Sequence, residues 1–237
     1  MAKNPKRFLV KVSGEALMGA QAFGLDQDML EKIAMDIARA AKGREIAVVV
    51  GGGNIFRGMQ GITRGVERTS GDSMGRLATV FNALALADAI RSAGQRAIAF
   101  SADPMPTLCR TYYHRDADRY LSEGVVTVLG GGTGQPFFTT DTAAALRAAE
   151  LDCAAILKAT NVDGVYTADP RKDPAATRYE RLTHDEAIEK QLGVMDTAAF
   201  ALARENALPI IVFAIQGENA ISNMLAGKGK ATHVVPA

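Results

Sequence analysis

The chain has 237 residues, 48% of them hydrophobic, enough to bury a full core as one large domain or two small ones. A formal net charge of +1 gives no reason to expect nucleic acid or an anionic membrane as the main partner, so any basic groups that matter must act locally. Cys109 and Cys153 are far apart and lack metal-ligand spacing, and no apolar run approaches a membrane span, which fits reduced thiols in a soluble cytoplasmic protein.

The first residues, MAKNPKRFLVKVSG, hold only a short apolar run broken by Lys11 and do not read as a signal peptide. Phe8–Val12 reads as a strand closed by a turn at Ser13-Gly14. Lys11 has two readings. Alternation alone favours an outward-facing position on an edge strand; the other is an ammonium aimed at a phosphate beyond the strand end. Gly19–Gly24 (GAQAFG) is flexible, and Asp26 or Asp28 caps a helix over about 27–42, with Leu30, Ile33, Ala34, Ile37, Ala38 and Ala41 at helical spacing and Gly43 at its end. Ile46–Val50 is a continuous apolar strand. It completes a βαβ unit, the kind that builds parallel sheets covered on both faces.

Gly51–Asn54 (GGGN) comes next, then a stretch dense in glycine and arginine, with Arg57, Arg64, Arg68, Arg76 and Asp72. Arginine suits bidentate contact with phosphate, yet a solvated surface position is the ordinary expectation for each; Arg57 is set apart by its closeness to the triple glycine. Ser73–Ala93 reads as a helix apolar nearly all round, which calls for burial on two sides, against the sheet and against another subunit. Ala97–Phe100 is a strand, Pro104 and Pro106 make a loop, and Arg110–Glu123 is a short helix with a solvated His114. No histidine sits in a setting that argues for a hydrolase.

Val125–Leu129 leads into GGGTGQPFFTTD at Gly130–Asp141 and then an alanine-rich helix to Glu150. A strand, a glycine turn and a helix start capped at Thr139, Thr140 or Asp141 leave backbone N–H groups facing a ligand at the positive end of a helix dipole. One such loop reads equally as a tight turn that binds nothing. Two, with Gly51–Asn54, point to two phosphorylated ligands. Cys153–Leu157 is a strand that again runs into a lysine, Lys158, so two parallel strands deliver ammoniums to the sheet edge where open α/β folds bind ligands. Asp163-Gly164 signals a hairpin turn; Tyr166 and Asp169 can face a base and a ribose, and plain hairpin packing is the alternative for Tyr166. Helices at Asp185–Gln191, Asp196–Asn206 and Asn219–Ala226 alternate with strands at Ile210–Phe213 and His233–Val235. The whole is read as a single domain over 1–237 with two lobes, about 1–150 and about 151–237, on one continuous sheet.

Phosphoryl transfer asks mainly for positioning and for positive charge on the oxygens that gain charge. Two strand-end lysines, two glycine loops and an arginine supply that. There is no GxxxxGK[ST] segment, and no GxGxxG followed by an acidic residue. An acceptor that is itself a phosphate needs no general base, because its second pKa is about 6. Mg2+ is expected to bridge the donor phosphates, held largely by them and by water. Asp141 and Asp196 then orient the lysines or help hold the metal shell.

KVSGEAL at 11–17, GGGNIFRG at 51–58, GDSMG at 71–75, TGQPFFTTD at 133–141 and KATNVDGVYTADP at 158–170 together closely resemble the bacterial uridylate kinases, a branch of the amino acid kinase family. The resemblance runs from about Lys6 to the last strand. It implies a three-layer α-β-α sandwich around a mainly parallel sheet, and ATP-dependent conversion of UMP to UDP in pyrimidine nucleotide synthesis. By resemblance, Lys11, Val12, Ser13, Gly14, Gly53 and Arg57 hold the ATP phosphates, while Thr160, Asn161, Tyr166 and Asp169 line the adenosine. Gly52 and Asp72 contact UMP, and Thr133, Gly134, Gln135, Pro136, Phe137, Phe138, Thr139 and Thr140 wrap its phosphate and uracil. Lys11, Lys158 and Arg57 stabilise the transferring group, with Asp141 and Asp196 orienting the lysines. Asn161 stands where some relatives carry lysine. Gly19, Ala20, Gln21, Ala22, Phe23 and Gly24 match a segment associated with allosteric GTP; the family commonly answers to GTP as activator and UTP as inhibitor, and is typically a homohexamer, a trimer of dimers. Two rivals stand beside this reading: a kinase of the same fold acting on a carboxylate, and a nucleotide-sensing protein that has lost transfer.

Overall fold

The computed structural model describes residues 4–56, 65–170 and 172–236. Among them nine strands form one sheet: β1 (Asn4–Val12), β2 (Glu45–Val50), β3 (Ala97–Ser101), β4 (Arg110–Thr111), β5 (Val126–Gly130), β6 (Cys153–Thr160), β7 (Arg181–Thr183), β8 (Ile210–Ala214) and β9 (Thr232–Val235). Their order is β4-β3-β5-β2-β1-β6-β8-β9-β7. Every pairing is parallel except β8 with β9. The helices are α1 (Gly14–Leu17), α2 (Gln27–Ala40), α3 (Arg68–Ser92), α4 (His114–Ser122), α5 (Thr140–Glu150), α6 (His184–Glu189), α7 (Thr197–Glu205) and α8 (Ala220–Leu225).

Alternation along the strands sorts the core into two layers. Val10, Val12, Val48, Val50 and Leu157 pack with α2, α3 and α8 on one face. Leu9, Ala47, Val49, Ile156 and Val212 pack with α4, α5 and α7 on the other. Alanines carry the close approach of α5, where Ala143, Ala144, Ala145 and Ala148 are all fully buried. The three-layer expectation is met.

Two departures matter for the site. β1 is no edge strand: it lies between β2 and β6, and Lys11 is 8% exposed. The edge-strand reading of Lys11 is therefore wrong, because alternation within one strand carries no information on what pairs at its sides. α3 begins at Arg68 instead of Ser73, which makes Asp72 and Arg76 helical neighbours of Arg68 at four-residue spacing.

Strand order reverses at β1. The chain steps from β1 to β2 on one side, builds β3, β4 and β5 beyond it, then crosses through α5 to place β6 on the other side. In open α/β sheets the crevice at such a reversal, outside the carboxyl ends of the strands, is where ligands bind.

Candidate functional site

Lys11 and Lys158 are direct partners in the parallel register of β1 and β6, at that reversal. Lys11 shares its face with Leu9, and Lys158 shares its face with Ile156, so both ammoniums turn to the α5 layer. There the first turn of α5 presents Asp141. Its Oδ1 lies 2.8 Å from Lys11 Nζ, and its Oδ2 accepts a hydrogen bond from Lys158 Nζ at 2.6 Å. Burial opposes the Asp141 charge, but the Lys11 and Lys158 ammoniums outweigh it and hold the carboxyl below its ordinary range. Burial, joined by the Lys11 charge, pushes the Lys158 ammonium down to about 8, against the pull of Asp141. Like charges set side by side on neighbouring strands repel. One carboxylate shared by two ammoniums leaves a net positive site, suited to an anion that gains charge as it reacts.

Two clefts open beside this cluster. One, of about 540 Å³, is lined by Lys158 with Thr160, Asn161, Tyr166 and Asp169, together with Glu15 and the segment 190–194. Asn161 accepts a hydrogen bond from Gln216 at 2.9 Å, and the Tyr166 hydroxyl donates to Asp163 at 2.6 Å. The other, of about 320 Å³, is lined by Gly52, Gly53, Asp72, Thr133, Gln135, Phe138, Thr139 and Thr140 from among the sequence candidates. Gly53 lines this smaller cleft together with Gly52. Val12 is a buried strand residue, Ser13 caps α1, and Gly14 sits where a Cβ would come within 2.5 Å of Asn54 Oδ1, so the first turn and the GGGN loop close on each other. At Gly52 a Cβ would lie 2.9 Å from both Ala78 Cβ and the Gly75 carbonyl oxygen; only glycine lets α3 rest on this loop. Gly134, Pro136 and Phe137 belong to the same 133–140 segment without lining the cleft. Arg57 and Arg64 lie outside the described residues.

Several residues have partners that sequence reasoning did not foresee. Asp196, expected to orient the lysines, caps α7 by accepting from Ala199 N at 2.9 Å and accepts hydrogen bonds from the Thr139 and Thr142 hydroxyls. It fixes the N-terminus of α5 and reaches the lysines through Asp141's helix. Asp72 accepts from Arg68 Nε and from Phe137 N at 2.8 Å, tying α3 to the 133–140 segment. Phe137 holds φ at 70°, a left-handed value that a bulky side chain rarely takes, and the Arg68 guanidinium lies 5.5 Å from its ring centroid. Arg147 donates to the Gly132 carbonyl and braces the glycine turn. Arg68 and Arg76 both line the smaller cleft; Arg68 stays at the surface as expected, whereas the Arg76 side chain is largely covered. The four-residue spacing of Arg68, Asp72 and Arg76 was the available signal, hidden by the late helix start. Gly19–Gly24 lies at the surface with Phe23 77% exposed, and Gly24 joins the GGGN loop through Asn54, which accepts from its N–H and donates back to its carbonyl.

A mainly parallel sheet with paired strand-end ammoniums beside two clefts marks an α/β protein suited to binding anionic ligands. The chain belongs to the amino acid kinase family, whose model matches residues 6–214. Within it, the chain is 58% identical over 231 residues to the uridylate kinase of Azorhizobium caulinodans, covering 97% of each, and 53% identical to that of Brucella abortus, covering 97% of this chain and 96% of the other. Its fold is similar to the crystal structure of UMP kinase from Ureaplasma parvum, with a TM-score of 0.93, 36% identity and 98% and 99% of the two chains covered. The UMP kinase of Bacillus anthracis gives a TM-score of 0.94 at 34% identity, over 98% and 97%.

Proposed function

We propose that this chain is an ATP-dependent UMP kinase, converting UMP and ATP to UDP and ADP in pyrimidine nucleotide synthesis. The observation that carries the reading is the Lys11–Asp141–Lys158 cluster between the two clefts. ATP takes the cleft lined by Thr160, Asn161, Tyr166 and Asp169, UMP the cleft lined by Gly52, Asp72 and the 133–140 segment. A UMP phosphate oxygen attacks the γ-phosphorus in line while the bond to the ADP oxygen breaks. Charge then gathers on the transferring oxygens, and the two ammoniums meet it without having to reorganise. Asp141 keeps both ammoniums in place, and Asp196 keeps Asp141 in place.

Among the described residues no three His, Cys, Asp or Glu side chains gather to hold a metal ion. Mg2+ is proposed to enter as part of the MgATP substrate, where it neutralises the donor phosphates. Among the described residues no helix is long and apolar enough to cross a membrane. The cytoplasm is the location proposed with this reading. Met74, Leu77 and Phe81 form an exposed apolar row on α3, 42%, 54% and 54% exposed. Assembly of copies through this face, up to a trimer of dimers, accounts for the row. Effector control by GTP through Gly19–Gly24, and by UTP, belongs to the same proposal; the Gly24–Asn54 bonds give that segment a path to the GGGN loop.

The test is ADP release from MgATP with UMP, CMP, acetylglutamate or no acceptor. Strong preference for UMP is expected. Turnover of the carboxylate alone would overturn the substrate, and binding of both nucleotides without product would overturn the reaction.

A further inference from the structure

Arg76 stands on α3 among the residues that line the smaller cleft, proposed above for UMP. Asp103, in the connection after β3, takes one edge of it: Nε donates to Oδ2 at 3.0 Å and Nη2 to Oδ1 at 3.4 Å. That fork leaves Nη1 on the opposite side. Nη1 is buried and has no hydrogen-bond partner. A buried donor on a charged group left unpaired is costly, and in a native fold it calls for a partner that the protein alone does not supply. The surroundings hold the guanidinium in place. Thr79 donates to the Arg76 carbonyl at 2.7 Å and accepts from Gly131 N at 2.7 Å, and Asp103 N donates to Ser101 Oγ at 3.1 Å.

The position of this donor along the cleft decides what it meets. The phosphate end lies by Thr139 and Thr140, which immediately precede Asp141 and its two ammoniums. Arg76 is tied instead to the end of β3, three strands from β1 in the sheet, roughly 14 Å away at the usual strand spacing. A nucleotide with its phosphate at the near end puts its base at the far end. In a pyrimidine, the atom at ring position 4 stands opposite the glycosidic nitrogen and is therefore the farthest from the phosphate. Uracil carries a carbonyl oxygen there, an acceptor; cytosine carries an amino group, a donor.

We infer that Arg76 reads the acceptor base, Nη1 donating to the position-4 carbonyl oxygen of uracil, with Asp103 as its positioning residue. This rests on the UMP reading above. Cytosine would set an amino donor against a cationic donor, leaving both unpaired. Sites built around a buried polar group discriminate strongly against a ligand that cannot pair with it.

The experiment compares kcat/KM for UMP and CMP at saturating MgATP in wild type, Arg76→Met and Asp103→Asn, with UMP and CMP titrated calorimetrically without ATP and thermal melting as a check on folding. In Arg76→Met the UMP-to-CMP ratio is expected to fall about tenfold or more, through loss on UMP with CMP unchanged or improved. Asp103→Asn, which loosens the fork without emptying the site, is expected to lower the ratio less, and carries the test if Arg76→Met does not fold. Equal losses on UMP and CMP would place Arg76 on the phosphate or in the fold alone and overturn the inference, as would an unchanged ratio. A wild type that selects UMP while both variants keep that selectivity removes only the role of Arg76; a wild type that does not turn over UMP removes the kinase reading with it.

Discussion

Asp141→Asn is the sharpest perturbation of the site, because it removes one charge shared by two ammoniums and almost no volume. The carboxylate lies 2.8 Å from Lys11 Nζ and 2.6 Å from Lys158 Nζ. At an effective dielectric constant near 20, opposite charges about 4 Å apart attract by about 4 kcal/mol, equivalent to about three pKa units at 1.36 kcal/mol each. An amide keeps a dipole toward the lysines, so a fall of about one unit or more in Lys158 is the expectation. Lys158 already stands at about 8, pushed down by burial and by Lys11. Above that pH it loses the proton that makes it useful, so the alkaline limb of kcat/KM for the free enzyme falls near pH 8 in wild type. In Asp141→Asn the limb moves to about pH 7 or lower, with kcat at neutral pH reduced about 10²-fold. The assay is a pH profile of kcat/KM with coupled ADP detection and both substrates well below their KM, so that the limb reports the free enzyme. An alkaline limb unmoved in the variant would refute the shared-carboxylate reasoning. Stability runs the other way. Lys158 binds its proton less readily folded than unfolded, so its unfavourable contribution is relieved as pH rises from about 8 to about 10.5, where melting temperature should gain while rate is lost.

Three further outcomes are expected. Gly52→Ala puts a Cβ 2.9 Å from the Gly75 carbonyl and from Ala78, forcing α3 off the loop; calorimetry should show UMP affinity lowered far more than ATP affinity, with equal loss counting against the two-cleft assignment. Asp196→Ala removes a cap and the anchor of Thr139 and Thr142, destabilising the fold by about 1–2 kcal/mol in urea titration and lowering kcat by less than Asp141→Asn does. A larger kcat loss than Asp141→Asn would put Asp196 in direct charge of the lysines after all. Leu77→Glu, at the middle of the exposed row on α3, should break the assembly to smaller species in light scattering while the monomer stays folded; an unchanged mass would move the interface elsewhere.

The lysines were legible because each breaks an apolar run, and an ammonium at the end of a buried strand needs an anion. Their joint carboxylate was legible only as a helix start, since which strand receives α5 is decided by strand order. Periodicity found the strands and helices of the βα alternation but misplaced the start of α3 by five residues, from Ser73 to Arg68. Gly71 and Asp72, at the head of the GDSMG segment, read as loop until burial of Gly71 in the helix shows that a small residue lets the helix approach. The short edge strands β4 and β7 have two and three residues, too few for any pattern. Asp72 and Asp196 were picked out as site residues, but their hydrogen bonds to Phe137 and to Thr142 span the chain and leave no local trace.

The register that pairs Lys11 with Lys158 also limits how this chain can vary in length. Successive side chains of a strand face opposite layers, so one residue gained or lost between Cys153 and Lys158 would turn Lys158 from the α5 layer to the α2 and α3 layer and carry Leu157, on a gain, or Ala159, on a loss, into its place. Such a change would strand an ammonium in an apolar layer and leave Asp141 with one partner. Substitutions within β6 can be graded and small; insertions and deletions there cannot, whereas a loop tip such as the one near Gly217 can lengthen without touching the alignment.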